Sequence, residues 1–304
     1  MAPIIDPLIV HDNAPALALA QVTVIVVTFN SAHCLPVLAQ GLADCPHVII
    51  VDNASADGCA ALARELLPQA RVIELPANQG YGAANNVGIA QADTPYVLLQ
   101  NPDCVFDAAG IAELVRLAQA DPYAAMWVPQ LLEPDGRPQI NYGMPRHWGE
   151  PNSMGAQGPL CVGYACAAAL LMHRERMAPV GFFDPRFFLY YEDEDLCLRA
   201  FNAKLPIVVL PSVHVIHLSR SSVRGGRPWK AEYWRGWHHA QSKIRFTAKH
   251  FGRAQGESLL RRTLAVEVAH LGLRIVLVSP RLVARAWGRV RGLFALWRHK
   301  DLLS

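Results

Sequence analysis

Four short runs of apolar, largely β-branched residues set the limits on what this chain can fold into: Val22–Thr28, Val48–Asp52, Arg71–Leu75 and Tyr96–Gln100. Runs this continuous lack the alternation of a half-solvated strand, so they predict strands buried on both faces, as in a parallel sheet. Between them lie stretches with helical character, such as Leu35–Leu42 and Gly58–Leu67. Parallel strands need crossover connections, and this alternation predicts an open, mostly parallel Rossmann-like α/β sheet with helices on both faces. Each run is followed by polar residues: Thr28-Phe29-Asn30, Asp52-Asn53, Asn78 and Asn101-Pro102-Asp103. Ligands of such sheets bind outside the carboxyl ends of the strands, so these residues are expected to converge on one crevice.

Several function classes fall away early. No G-x-G-x-x-G follows the first run and no G-x-x-x-x-G-K-[ST] occurs, which removes support for a dinucleotide oxidoreductase or a P-loop enzyme. A net charge of +3 on 304 residues gives no overall field for nucleic acid, so no nucleic-acid partner is expected. The seven cysteines are odd in number and contain no C-x-x-C, which suggests neither a disulfide framework nor a zinc ribbon and fits a reducing cytoplasm. Residues 1–20 lack a basic n-region and carry Pro3, Pro7 and Pro15; they read as a loose lead-in rather than a secretory signal. Leu264–Val278 is too short for a bilayer and contains Glu267, His270 and Arg274, so no transmembrane helix is expected. The stretch from about Pro129 to Gly163, rich in Pro, Gly and Asn, reads as long loops, with regular structure resuming near Tyr164.

Two segments carry the chemistry. In Asn78-Gln79-Gly80-Tyr81-Gly82 the glycines let the backbone approach a ligand, and the amides of Asn78, Asn85 and Asn86 are able to hydrogen-bond sugar or phosphate. Further on, Gly181-Phe182-Phe183-Asp184 precedes Phe188-Leu189-Tyr190-Tyr191-Glu192-Asp193-Glu194-Asp195, with Arg199 four residues after Asp195. Acidic residues also suit a helix first turn, and Asp195 with Arg199 forms an i,i+4 pair, so those two are assigned a structural role. A carboxylate crowded by Glu192, Glu194 and Asp195 is expected to hold its proton longer, towards the range of a useful base.

In order and spacing, VTVIVVTFNS at 22–31, VIIVDNASADG at 48–58, NQGYGAANNVGI at 78–89, LLQNPD at 98–103 and the acidic block resemble the family 2 glycosyltransferases. The resemblance runs over about residues 22–250, is closest to the bacterial rhamnosyltransferase branch, and implies the GT-A fold. It implies that Thr28, Asn30 and Asp52 hold the nucleotide base of the donor, although Asp52 alone also reads as a turn residue. Asn78 and Gly80 would line the donor site. Asn101-Pro102-Asp103 would be the variant metal motif, with Asp103 holding Mg²⁺ or Mn²⁺ against the donor diphosphate. Asp193 would be the base that takes the acceptor proton. His217, in Val215-Ile216-His217-Leu218, would sit by the metal, with His214 a nearby competitor.

The implied reaction is inverting transfer of a single sugar from a dTDP- or UDP-sugar, L-rhamnose from dTDP-rhamnose among the donors, to a glycan or lipid-linked acceptor. The branch's G-W-x-x-G-A is here Gly163-Tyr164-Ala165-Cys166-Ala167-Ala168, a departure that bears on substrate identity and not on reaction class. Gln241-Ser242-Lys243-Ile244-Arg245-Phe246 lacks the Q-x-x-R-W of processive synthases, so one sugar per turnover is expected. A nucleotidyltransferase would need a basic Gly-rich loop after the first strand, where this chain has Thr28-Phe29-Asn30-Ser31. Another nucleotide sugar, or a scaffold that binds one without turnover, are the remaining alternatives, and the presence of both Asp103 and Asp193 speaks against the scaffold.

By this reading residues 1–20 are a lead-in, 21–250 the catalytic domain and 251–304 a helical, basic amphipathic extension. Residues 281–300 carry Arg281, Arg285, Arg289, Arg291, Arg298 and Lys300 without an acid, while Val283, Trp287, Val290, Phe294 and Trp297 recur at helical spacing. Such a helix suits an anionic membrane surface, making the protein peripheral on the inner face of the cytoplasmic membrane. It equally suits a helix packed on the catalytic domain with a solvated basic face.

Overall fold

A computed structural model describes residues 14–145, 155–218, 228–276 and 279–299. Its first half alternates as expected: α1 (Ala14–Leu19), β1 (Val22–Thr28), α2 (Leu35–Leu42), β2 (Val48–Asp52), α3 (Cys59–Leu66), β3 (Arg71–Glu74), α4 (Tyr81–Ala90) and β4 (Tyr96–Gln100). Then come β5 (Cys104–Val105), α5 (Ala108–Gln119), β6 (Met126–Leu132), β7 (Tyr142–Gly143), β8 (Leu160–Val162), β9 (Tyr164–Ala165) and β10 (Ala169–His173). The remainder is α6 (Arg174–Met177), α7 (Glu192–Asn202), β11 (Ile207–His217) and three long helices, α8 (Pro228–Phe251), α9 (Arg253–Val276) and α10 (Pro280–Arg298).

Nine strands form one sheet in the order β3-β2-β1-β4-β10-β6-β11-β5, with β8 also on β11. The strands β3, β2, β1 and β4 are mutually parallel, whereas β10 runs against both of its neighbours, so the sheet is mixed beyond β4. Alternation along the buried strands divides the core in two. Val24, Val26, Ile50 and Leu98 face the helices α2, α3 and α5, and Ile25, Val27, Ile49 and Leu99 face α4 and α7. Helix α5 starts where Asp107 accepts from the Gly110 amide at 2.8 Å, an N-cap that satisfies one of the orphan donors.

One sequence expectation changes, and the segments that flank the sheet show two further features. The stretch from Pro129 onward is not all loop: Pro129 lies within β6, and β7 and β8 follow. The proline is tolerated because β10 pairs with β6 only at Met126 and Trp127, before a missing N–H would matter. Residues 1–13 of the lead-in lie outside the described residues, but Ala14–Leu19 is helical and buries Ala18 and Leu19 in the core. Helix α8, placed by sequence in the 21–250 domain, shares a separate core with α9 and α10 through Ala240, Ile244, Ala248, Leu260, Leu293 and Leu296. Helices α8 and α10 approach closely because a Cβ at Gly288 or Gly236 would strike the backbone carbonyl of Tyr233 or Arg285. Among the described residues no helix is long and apolar enough to cross a membrane.

Candidate active site

The carboxyl ends of β1, β2 and β4 open into a cavity of about 1520 Å³. Its sheet-side wall is Phe29, Ser31, Asn53, Asn78, Gly80, Asn101 and Pro102; its far wall is Phe188 through Glu194, with Trp234, Arg235, His238 and His239 of α8 and Arg281 of α10.

The strand-end residues divide into those that face the cavity and those that shape it. Thr28 is fully buried and donates to Asp52 Oδ1 at 2.9 Å; Ser55 donates to the same oxygen from its hydroxyl at 2.5 Å and to Oδ2 from its amide at 3.0 Å. Asn30, at φ 52°, holds the 53–57 turn by accepting from the Ala56 amide at 2.9 Å and donating its own amide to Ser55 Oγ at 2.9 Å. Thr28, Asn30 and Asp52 thus lie together beneath the cavity floor, and Asn53 presents the surface. The Asn53 amide donates to Asn78 Oδ1 at 3.0 Å and accepts from the Gln79 amide at 2.8 Å. This pairing joins the β2 end to the Asn78 loop, a role for Asn53 that its sequence position, one after Asp52, did not disclose.

Gly80 sits at φ 90°, and a Cβ there would collide with the Phe188 carbonyl, which accepts from the Tyr81 amide at 3.0 Å. Its missing side chain therefore brings the Asn78 loop against the acidic block. Asn85 and Asn86 do not reach a ligand position. Asn85 donates to the Tyr81 carbonyl at 3.0 Å, and Asn86 pairs with both backbone groups of Phe183 at 2.7 and 3.0 Å, because polar groups under a helix must be satisfied internally.

Asp103 and His217 meet because β5 pairs with the end of β11, setting His217 opposite Cys104. Asp103 Oδ1 lies 3.8 Å from His217 Nε2, and the carboxylate is 3% exposed. His214 is exposed, three residues earlier. Burial holds the His217 imidazole below its ordinary value in spite of the Asp103 charge, which favours the neutral, ligating form. One ligand atom each from Asp103, Cys104 and His217 falls within 4.8 Å of the others. Burial pushes the Cys104 thiol well up, and it donates to the Ala168 carbonyl at 3.4 Å, so the carboxylate and the imidazole are the available pair. A buried carboxylate oxygen close to an imidazole nitrogen, one residue beyond Pro102 of the cavity wall, fits a divalent cation.

The four acidic residues opening α7 have separate fates. Two consecutive residues in the left-handed region, Tyr190 at φ 67° and Tyr191 at φ 68°, turn the chain sharply into the helix, and both line the cavity. Non-glycine residues in that conformation are costly and tend to mark functional sites. Glu192 is buried with its Oε2 unbonded; burial, reinforced by the Asp193 charge, pushes its carboxyl well above the usual range. It lines the cavity wall beside Asp193, and the charge of each carboxyl disfavours ionisation of the other. Asp193 Oδ1 accepts from the Glu194 amide at 2.9 Å, and Tyr164 directs its hydroxyl at Oδ2 at 3.4 Å. Burial and the Asp193 charge push Tyr164 well up, so it remains a donor.

Asp195 is fully buried and turned away from the cavity. It pairs with Arg199 at 2.9 Å, His250 at 2.8 Å and Lys249 at 2.5 Å. Burial alone would raise its carboxyl, but the hydrogen bonds from His250 and Lys249 and the charges of Arg199 and Lys249 hold it below the ordinary range. Lys249 also binds Asp184 at 2.7 Å, and Ser242 donates to the Leu189 carbonyl at 3.0 Å. Ser242, Lys249 and His250 occupy one face of α8, so this helix is pinned along the acidic block and supplies the far wall, where His238 stacks on Phe188 at 4.2 Å. No local sequence pattern signalled that contribution.

Comparison with known proteins accords with this geometry. Residues 23–173 match the family described as Glycosyl transferase family 2. The chain is 30% identical over 269 residues to N-acetylglucosaminyl-diphospho-decaprenol L-rhamnosyltransferase of Mycobacterium tuberculosis, spanning 77% of this chain and 85% of that protein. Among solved structures, a mannosyltransferase from Pyrobaculum calidifontis in complex with GDP-Man and Mn²⁺ is similar at TM-score 0.53 and 16% identity over 95% of both chains. S. aureus TarS in complex with UDP-GlcNAc is similar at TM-score 0.52 and 19% identity over 92% of both. These likenesses identify the fold as GT-A.

Proposed function

This chain belongs to glycosyltransferase family 2, and on that premise we propose that it moves one sugar, L-rhamnose from dTDP-rhamnose, onto a hydroxyl of a lipid-linked glycan with inversion. The observation that carries the reading is the single cavity joining the strand-end residues at one side to Asp193 and an aromatic wall at the other. The name of the mycobacterial relative supports the choice of sugar and the class of acceptor.

In this reading the donor base lies over Asn53 and the Thr28–Asn30–Asp52 turn, and its sugar lies over Asn78 and Gly80. Asp193, held by the Glu194 amide and Tyr164, takes the proton from the acceptor hydroxyl. The acceptor oxygen attacks the anomeric carbon from the side opposite the diphosphate, the bond to the diphosphate breaks, and the configuration inverts once. A divalent cation between Asp103 and His217 would neutralise charge on the leaving diphosphate, and the mixed oxygen–nitrogen pair suits Mn²⁺ better than oxygen-preferring Mg²⁺.

A thermal-shift panel of nucleotide sugars, each with Mn²⁺ or with EDTA, tests the donor. A ligand at about 100 times its Kd stabilises the native state by about 2.7 kcal/mol, so dTDP-rhamnose with Mn²⁺ is expected to raise Tm by roughly 5 °C or more. A larger shift with another sugar, or one indifferent to EDTA, overturns the donor or the cation respectively.

The acceptor side favours a membrane-borne substrate. Helix α10 buries Ala286, Gly288, Gly292, Leu293 and Leu296 against its partners, yet leaves Leu282, Trp287, Phe294 and Trp297 exposed. Arg285 and Arg289 turn to Glu232 and Glu267, while Arg291 lies over Trp287 at 5.9 Å and Arg298 over Phe294 at 4.7 Å. Lys300 lies outside the described residues. An exposed aromatic face interleaved with arginines suits anionic lipid, and Arg281 and Trp234 bring that surface to the cavity mouth. Full-length protein is expected to co-sediment with phosphatidylglycerol vesicles at low salt, and Trp287→Ser with Trp297→Ser is expected to release it. Failure of the wild type to sediment sinks the membrane reading. Substitution is the better probe, since deleting α10 would strip Leu293 and Leu296 from the third core.

A further inference from the structure

The short segment between β6 and β7 places a glutamine behind the imidazole of His217. Gln139 is buried, and its amide grips His217 twice: Nε2 donates to the backbone carbonyl at 2.9 Å, and Oε1 lies 3.0 Å from Nδ1. A carbonyl oxygen can only accept, so the amide nitrogen is fixed on that side and the amide oxygen on the imidazole side. Asn141 adds an independent constraint, donating to the same Oε1 at 3.2 Å. An oxygen against Nδ1 requires the proton to be there, which makes Nε2 the lone-pair nitrogen of the neutral ring. That nitrogen lies 3.8 Å from Asp103 Oδ1, so the ring's electron-pair donor and a carboxylate oxygen are close enough to share a cation.

Gln139 is itself held in place. Its amide donates to the Leu131 carbonyl at 2.8 Å, and its carbonyl accepts from Gln130 Nε2 at 3.0 Å. Gln130 Oε1 in turn accepts from the Tyr142 hydroxyl at 2.8 Å. The polar chain Tyr142–Gln130–Gln139–His217 thus runs from the sheet to the edge of the site, in a segment whose composition reads only as loop.

We propose that Gln139 is a positioning residue of the cation site: it locks His217 in the Nδ1–H tautomer and aims Nε2 at a cation shared with Asp103. The inference rests on the reading of Asp103 and His217 as the cation site. Ligating histidines are commonly fixed by a hydrogen bond at the other nitrogen, and losing that partner costs about 10- to 100-fold in metal affinity.

The test uses the full chain labelled with ¹⁵N-histidine, with the His217 signals identified by their loss in His217→Ala. Long-range ¹H–¹⁵N spectra of the metal-free protein report the tautomer, and titration with Mn²⁺ in the presence of dTDP, followed by electron paramagnetic resonance, reports affinity. The wild type is expected to show Nδ1–H. Gln139→Leu is expected to lose that pattern and to bind Mn²⁺ about 10- to 100-fold more weakly. Gln139→Glu, whose carboxylate still accepts from Nδ1–H, is expected to restore both. Should Gln139→Leu fail to fold, Gln139→Met, of similar length, replaces it. An Nε2–H tautomer in the wild type, or equal Mn²⁺ affinity in wild type and Gln139→Leu, overturns the proposal. If the tautomer switches but neither protein binds Mn²⁺, the cation assignment falls and takes this role with it, a failure distinct from that of the tautomer argument.

Discussion

Asp193→Asn is expected to lower kcat by about 10²- to 10⁴-fold, the usual worth of a positioned base, while leaving donor affinity within a few-fold. The amide keeps the shape of the side chain and its contact with the Glu194 amide, but it cannot accept the acceptor proton. In the proposed reading the donor lies on the opposite, strand-end wall, so binding and chemistry should separate. Tyr164→Phe provides the graded companion. It removes a hydroxyl directed at Asp193 Oδ2 without removing the base, and a smaller loss of kcat with unchanged donor affinity is expected. Initial-rate kinetics with the donor identified by thermal shift, together with calorimetric donor binding, check both variants. Full turnover in a folded Asp193→Asn protein would remove Asp193 from the mechanism.

The half of the fold that was legible in the sequence is the half whose signal is local. Strands β1, β2 and β4 begin and end where their apolar runs do, because a strand buried on both faces admits few polar residues, each needing a partner such as Thr94 for Thr23, before it leaves the sheet. The other half has no such signature. Strands β5, β7 and β9 are two residues each, too short for any periodicity, and β6 carries a proline that reads as a breaker until its neighbours are known. The direction of β10, against β4, depends on which elements lie beside it and not on its own residues.

The site divides along the same line. The sequence locates the polar residues at the strand ends, but whether each faces a ligand or a neighbour is decided by contacts across the fold. Thr28 and Asp52 satisfy one another, Asn86 satisfies Phe183, and Asn53 faces the cavity. The acidic run is the sharper case. Read as four charges in a row, it suggests mutual repulsion. Folded, it holds one buried acid at Glu192 whose carboxyl burial pushes up, one cavity carboxylate at Asp193, and one carboxylate at Asp195 neutralised by residues of α8. Only the Arg199 partner, one helical turn on, could be read from spacing.

Asp195→Asn carries the second large effect, and it falls on stability. Arg199, Lys249 and His250 converge on this carboxylate with side chains only 20%, 21% and 10% exposed, so the substitution leaves three donors facing a neutral amide. Removing one partner of a buried ion pair costs about 3–5 kcal/mol, and the residual exposure of the cations lowers the expectation to about 2–4 kcal/mol. For a domain of this size that corresponds to a fall in Tm of roughly 5–15 °C. The pH dependence supplies a signature. The folded-state carboxyl is held below its unfolded value, so its stabilisation is present above about pH 4 and is lost as pH falls through the depressed folded value. The gap in Tm between wild type and Asp195→Asn should therefore be full at pH 7 and narrow in acid. Because Lys249 also binds Asp184, Lys249→Met should couple to Asp195→Asn by about 0.5–3 kcal/mol in a double-mutant cycle, as members of one network do. Turnover should suffer less than in Asp193→Asn, since Asp195 faces α8 and not the cavity. If Asp195→Asn melts with the wild type at pH 7 and yet loses turnover by 10²-fold or more, the base is Asp195, and the ion cluster that pins α8 contributes nothing to holding the far wall.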